Sequence, residues 1–454
     1  MTTPKTANDY VQFALKLMQS RPPQYFEASC ILKLLYHSLS ENDRPKIAKF
    51  LVQCGVALHD QSLMSYVTSI PQNDVSSQYD LARFMLNTDL HERKKKESEL
   101  EIREQREIVF SGRFFEDAII VSAGGEKLMK QLFCNLKSLI RAKRTTTKHD
   151  LPIIIVHADE ISQKEEDAFN SVFYDDLNLI FFNLADTILV SESRLTPSSL
   201  RGFQIKLAAL AAVPAKRVLM MDADLFWVTD PFEILQKCKD NKIDAHLFKD
   251  FWHFVKRRHE KSSSTSFLYS LYDIDFDISE FESGLLFFDR EKAYKSVAMI
   301  RHFLLNYEYY FSLTFGDKDL YYLALRTQDS KLSISDMPQM LGCVFDEGST
   351  FFDPGIFYSE SMLQNFDSLP SHIHTTLHPI GDPGFGIPTH VCEDGELIEF
   401  VQRRIDKKYV STVACDIRHA NDIGAQHLYK FIYRQALRDE KEFQSLYLDF
   451  VIKT

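Results

Sequence analysis

From residue 7 to about 90, apolar residues recur three and four apart, as in Tyr10, Phe13, Ala14 and Leu17 and then Ile31, Leu34 and Leu35, the spacing of one face of an α-helix. Arg21-Pro22-Pro23 ends the first of these helices, because proline lacks the amide donor that the next turn needs. Another is predicted to begin at Asn42-Asp43, with Pro45 in its first turn, and to stop at Gly55. About four or five short helices fit this stretch. From His91 to Glu107 the pattern turns polar: six basic and six acidic residues surround Leu100 and Ile102, and the block Arg93 to Lys96 carries like charge. Such a run is a solvated helix or linker face, and it closes an all-helical N-terminal region at 1–107.

The period then changes. Asp117 to Ser122 is β-rich, meets the turn Ala123-Gly124-Gly125, and runs into a helical stripe of Leu128, Leu132, Leu136 and Leu139. Ile153 to Val156, ending at His157-Ala158-Asp159, predicts a second buried strand, and Leu179 to Phe182 a third. A single helix is predicted from Pro197 to Ala212, and it delivers the chain to the apolar run Val218 to Met221. Strands alternating with helices imply an α/β sheet, placed at 108–395. Beyond it, Ile398 to Tyr409 and Ala425 to Val451 have helical spacing, and the aromatic stripe Phe431, Tyr433, Phe443, Tyr447 and Phe450 predicts packing onto the sheet by a helical extension, 396–454.

Composition narrows the class. The 454 residues are 45% hydrophobic and include 36 Phe, enough for two or three domains with real cores. A formal net charge of −11 argues against nucleic acid and against a polybasic membrane anchor. Seven scattered cysteines with no C-x-x-C pair suit buried thiols better than disulfides or a zinc site. The start MTTPKTANDY lacks the apolar core of a signal peptide, and no segment has the roughly 18 apolar residues of a membrane span. A cytoplasmic protein is the expectation, with a secreted effector as the alternative.

The candidate chemistry gathers where Val218 to Met221 runs into Asp222-Ala223-Asp224. Ligands of open α/β sheets bind beyond the carboxyl ends of the strands, and two carboxylates so near a core repel each other unless a cation lies between them. Asp-x-Asp also occurs at Asp273/Asp275, Asp275/Asp277 and Asp317/Asp319, so spacing alone leaves a capped turn open. Only the first follows an apolar strand and precedes a second apolar trio, Leu225-Phe226-Trp227. Gly124 and Gly125 sit where backbone N–H groups could approach a phosphate or base. Lys206 is either a solvated helix lysine or a diphosphate partner. Asp317 is either a helix cap or a ligand contact. His372 and His374 are either loop histidines or neighbours on one strand face.

Taken together, Ala123-Gly124-Gly125, LPIIIVHADE from Leu151, GFQIKLAAL from Gly202, VLMMDADLFWVTDPFEIL from Val218, FESGLLFFDR from Phe281 and GDKD from Gly316 resemble the fungal α-1,3-mannosyltransferases of glycosyltransferase family 71. The resemblance spans roughly residues 110 to 390 and implies a GT-A fold, the mixed sheet flanked by helices of nucleotide-diphospho-sugar transferases. It also implies a retaining transfer from GDP-mannose with Mn2+ (or Mg2+) to a glycan or protein-linked acceptor. Carried over residue by residue, it makes Asp224 a direct metal ligand and Asp222 a ribose or second metal contact. A late-strand histidine, His374 or His372, becomes a further ligand. Ser283 and Gly284 fall near the donor, with Asp317 and Glu282 as the catalytic candidates. Family members usually carry an N-terminal membrane anchor where this chain has soluble helices, which points to another acceptor. A UDP-hexose donor and a non-catalytic scaffold, docking a protein partner through the N-terminal helices, are the rival readings.

Overall fold

The computed structural model describes residues 7–18, 25–38, 88–104, 115–143, 151–187, 195–253, 271–274, 279–314, 316–336, 338–344, 357–375, 390–392, 400–405, 408–413, 417–419 and 426–447, with a few isolated positions besides. The chain divides into two compact units, one of 1–101, 253–278 and 308–315, the other of 102–252, 279–307 and 316–454.

In the first unit, α1 (Ala7–Met18) and α2 (Tyr25–Ser38) pack on each other, and α3 (Thr88–Glu104) realises the charged stretch as a helix. Its charged face pairs locally, Lys94 with Glu97 at 2.7 Å. Its other side buries His91, which meets the Tyr309 hydroxyl at 2.6 Å. Of the helix expected to end at Gly55, Ile47, Phe50, Leu51 and Cys54 are described and helical, whereas its two ends and the boundary at residue 107 lie outside the described residues.

The second unit is a mixed α/β structure whose central sheet is mostly parallel and flanked by helices. Its strands are β1 (Phe115–Ser122), β2 (Pro152–His157), β3 (Asn178–Asn183), β4 (Ala215–Met221), β6 (Ala245–His253), β7 (Ser279–Asp289) and β8 (Leu332–Ile334), ordered β3-β2-β1-β4-β7-β6-β8. β1, β2, β3 and β4 pair in parallel, whereas β7 runs antiparallel to β4. The parallel crossovers are made by α4 (Gly125–Ala142), α5 (Gln163–Phe173) and α6 (Gln204–Ala212). Alternate strand residues Ile119, Val121, Leu219, Met221, Leu285 and Phe287 form one buried layer, as the two-residue side-chain period requires. Helices α7 (Pro231–Asp240), α8 (Tyr294–Leu305) and α9 (Lys318–Thr327) complete the frame.

A second sheet follows. It contains β9 (Gln339–Val344), β10 (Phe357–Phe366) and β11 (Leu369–Thr375), and β11 also pairs with the short β5 (Leu225–Trp227). The helical spacing read at Ile398 to Tyr409 is overturned. Phe400–Ile405 and Lys408–Val413 form an antiparallel hairpin, in keeping with the β-branched Val410, Thr412 and Val413. The last helix, α10 (Gln426–Tyr447), does pack on α4: Phe133 and Phe443 rings lie 5.6 Å apart, and Arg141 grips Asp439 through two bonds of 3.1 and 2.6 Å.

The helix predicted from Pro197 to Ala212 is broken. Pro197–Leu200 is a 3-10 turn, and Gly202 takes φ 76 before α6 begins, a left-handed conformation that glycine adopts without steric cost. Cys134 and Cys238 are free and buried. Among the described residues, no helix is long and apolar enough to cross a membrane.

Candidate active site

The site starts at the end of β4. Asp222 N–H donates to Gly284 O at 2.7 Å, so the chain leaves the central sheet beside β7, turns through Ala223 and joins the second sheet as β5. The turn is held from two sides. Asn135, a buried polar residue within apolar α4, donates to Asp222 O at 3.0 Å and accepts from the Trp227 indole at 3.0 Å. Thr375 reaches Asp224 O through its amide at 3.3 Å and its hydroxyl at 3.0 Å.

The β5–β11 ladder pairs Trp227 with His372, Phe226 with Ile373 and Leu225 with His374. That register separates the two candidate histidines. His374 Nε2 lies 3.2 Å from Asp224 Oδ1 and 3.9 Å from Asp222 Oδ2. His372 is instead enclosed by rings: Phe248 stands edge-on at 5.0 Å, Trp227 lies at 6.0 Å, and Ser371 Oγ is 3.0 Å from Nδ1. Burial holds the His372 imidazole near a pKa of about 3, hence neutral. Among the described residues, Asp222, Asp224 and His374 form the group able to hold a metal, with ligand atoms within 4.8 Å of one another; His372 is not in it.

On the other side of Asp222 stands Lys206, in the first turn of α6 and only 6% exposed. Its Nζ lies 2.8 Å from Asp222 Oδ1, 2.9 Å from Ser283 Oγ and 3.4 Å from Asp317 Oδ2. Burial opposes its charge, but the Asp222 and Asp317 carboxylates override this and raise its pKa. Asp317 is at the N-cap of α9 yet makes no side-chain cap bond; it accepts instead from Ser283 Oγ at 3.2 Å.

The Glu282-Ser283-Gly284 segment lies inside β7, which extends from Ser279 to Asp289. Consecutive strand residues project oppositely, so Ser283 serves Lys206 while Glu282 Oε1 approaches His374 Nδ1 to 2.7 Å. Burial would raise the Glu282 pKa, but the adjacent imidazole overrides it and holds the group at about 2. The same carboxylates lift the His374 pKa well above its usual range against the effect of burial. Gly124 and Gly125 lie at the start of α4, just beyond the end of β1. A Cβ on Gly124 would fall 2.8 Å from Glu160 Cβ, and Gly125 takes φ 70.

Two features of the donor set suit a divalent cation. Asp224 Oδ1 is buried and receives no aligned hydrogen bond from the described residues. Asp222, Asp224, Glu282 and Asp317 bring four negative charges against the two that Lys206 and a protonated His374 can supply, leaving an excess of two. Uncompensated buried carboxylates are costly, and two carboxylates with one imidazole suit a divalent cation. The residues fit.

Sequence reasoning missed Asn135 and Thr375, which act through backbone atoms. The one signal for Asn135 was an amide within an apolar helical stripe.

A family profile described as "Mannosyltransferase putative" matches residues 118–275. No curated protein matches significantly. Among solved structures, the chain is similar to mouse xyloside xylosyltransferase 1, with 17% identity over 48% of this chain and 85% of that one, and a TM-score of 0.34. It is similar to the galactosyltransferase LgtC (14%, 48% and 73%, TM-score 0.33). It is also similar to the mannosyltransferase Ktr4p of S. cerevisiae (9%, 51% and 75%, TM-score 0.30). The profile match covers β4 and the turn after it that carries Asp222 and Asp224, and supports a glycosyltransferase.

Proposed function

We propose that this chain is a metal-dependent, retaining GT-A glycosyltransferase that transfers mannose from GDP-mannose to a glycan or protein-linked acceptor. One observation carries the reading: Asp222, Asp224 and His374 converge at the end of β4, with a buried lysine against Asp222. Asp224 and His374 would hold the cation, Mn2+ or Mg2+, with Asp222 shared between it and Lys206. When bound, such an ion would supply Lewis-acid positive charge where the departing nucleoside diphosphate becomes negative.

The chain's own groups do the rest. Lys206 fixes Asp222, Ser283 and Asp317 in one arrangement before any ligand arrives, so little reorganisation remains for the reaction. Asp317 Oδ2 is buried and receives no aligned hydrogen bond from the described residues, which leaves it able to accept from a sugar hydroxyl. Gly124 and Gly125, at the first turn of α4, offer backbone N–H groups to the nucleotide. The choice of mannose is supported by the profile match over residues 118–275, and GDP is what the resemblance to glycosyltransferase family 71 implies.

Thermal shift of the full chain with GDP, UDP, GDP-mannose and UDP-hexoses, each with and without Mn2+, tests the reading. The largest rise is expected with GDP-mannose and Mn2+ together. A larger metal-dependent rise with a UDP-hexose would reassign the donor. No metal-dependent rise with any nucleotide would favour a non-catalytic scaffold.

A further inference from the structure

Glu282 does not face the space between Asp224 and Lys206. Its Oε1 lies 2.7 Å from His374 Nδ1, on the side of the ring opposite the Nε2 that meets Asp224 at 3.2 Å. The imidazole is therefore strung between two carboxylates, and Glu282 and His374 are each only 8% exposed at the side chain. His374 Nδ1 makes no hydrogen bond of good geometry with the described residues, so charge and close contact hold the pair.

The Glu282 carboxylate is fixed by its own strand, because Oε1 also accepts from the Gly284 N–H. A Cβ at Gly284 would overlap that oxygen and would lie 2.9 Å from both Cε1 and Nδ1 of His374. Residue 284 has to lack a side chain for carboxylate and ring to meet. The order Glu-x-Gly thus has a steric reason: the acid folds back over the glycine two positions on, and the imidazole occupies the room the glycine leaves.

We infer that Glu282 is the positioning residue for His374, and that Gly284 is the space requirement of that pair. The inference rests on the metal reading above and takes Glu282 out of direct contact with substrate. A carboxylate on one ring nitrogen fixes the tautomer and orientation of a metal-ligating histidine and raises the basicity of the other nitrogen. Here Nδ1 faces Glu282 and Nε2 faces Asp224 and Asp222, so loss of the Nε2 proton would leave Nδ1–H toward Glu282 and a lone pair toward the two aspartates.

Binding of Mn2+ alone, followed by loss of the free-ion signal in electron paramagnetic resonance, separates this claim from the one beneath it. Wild type, Asp224→Asn, His374→Ala, Glu282→Ala, Glu282→Gln and Gly284→Ala are compared as full chains, with circular dichroism to verify folding. Glu282→Ala and Gly284→Ala are expected to weaken Mn2+ by about 10–100-fold. Glu282→Gln, which keeps an acceptor but loses the charge, should fall between them and wild type. Visible spectra of Co2+-loaded protein should shift in Glu282→Ala, a change that general loosening of the fold does not produce. If Asp224→Asn and His374→Ala lose Mn2+ while the Glu282 and Gly284 variants bind as wild type, the positioning role is wrong and the metal site stands. If Asp224→Asn also binds as wild type, the metal site itself is wrong. Should Glu282→Ala fail to fold, Glu282→Gln and Gly284→Ala decide, and wild-type affinity in both overturns the inference.

Discussion

The ammonium of Lys206 lies 2.8 Å from Asp222 Oδ1 and 3.0 Å from Oδ2, so a buried lysine is clasped by the first acid of the Asp-x-Asp pair. Asp222 faces two ways. Burial and the neighbouring Asp224 push its pKa up, while Lys206 pulls it down, and it settles at about 6. The Lys206 ammonium therefore offsets part of its charge before any cation arrives.

Breaking that pair should be expensive. Lys206→Met leaves Asp222 and Asp317 buried without their counter-charge, and removal of one partner of a buried ion pair costs about 3–5 kcal/mol. Urea unfolding should register a loss of that order. The double variant Lys206→Met/Asp222→Asn should recover part of it, and a double-variant loss equal to the sum of the singles would mean the two side chains do not interact.

Asp224→Asn should separate function from stability. Its buried Oδ1 receives no aligned hydrogen bond, so the amide removes repulsion without breaking a well-made bond. We expect the melting temperature to hold or rise while Mn2+ affinity falls by more than the roughly 10–100-fold loss typical of a supporting residue. Calorimetry and a thermal melt on the same samples check both halves.

Arg290 supports the helix that carries Lys206. Although buried, it donates to the carbonyls of Ala211 at 3.1 Å, Ala215 at 2.7 Å and Val213, joining the end of α6 to the start of β4. Arg290→Met strands those carbonyls, and an unsatisfied buried group costs about 1–3 kcal/mol. A loss of about 3 kcal/mol or more in denaturant unfolding is expected, and a change below about 1 kcal/mol would show that those carbonyls find other donors.

Acid should weaken the fold through His246 on β6. Burial depresses its pKa from 6.5 to about 3, and its surroundings include Ser333 at 3.1 Å, Phe366 at 4.8 Å and His372 of β11. The neutral ring contributes its full stability above pH 6.5. Below that the unfolded chain binds a proton that the folded one refuses, so stability falls progressively toward pH 3, by at most about 1.4 kcal/mol per pH unit. His246→Asn should flatten the slope of unfolding free energy between pH 6.5 and 5. An unchanged slope would place the proton uptake on other groups.

The sequence by itself determined the elements whose cause is local. An apolar run too short for an independent helix, followed by two acids, marks a strand end with carboxylates on it, and β4 ends at Met221 with Asp222 next. The Ala123-Gly124-Gly125 turn, the strands at Ile153 and Leu179 and the last helix at Gln426 follow from spacing and glycine in the same way. The hairpin at Phe400–Ile405 and Lys408–Val413 did not, because a short segment with mixed periodicity takes its conformation from the strand it pairs with.

Tertiary structure alone decided which groups meet. His372 and His374 share one strand period and differ in fate because the β5–β11 register sets Leu225 opposite His374, beside Asp224, and puts His372 among aromatic rings. Lys206 became a buried partner because Gly202 redirects the chain before α6. Glu282 turned to His374 because Gly284 leaves the ring its space. Each of these joins residues remote in sequence through register or exclusion, and local propensity carries no record of either.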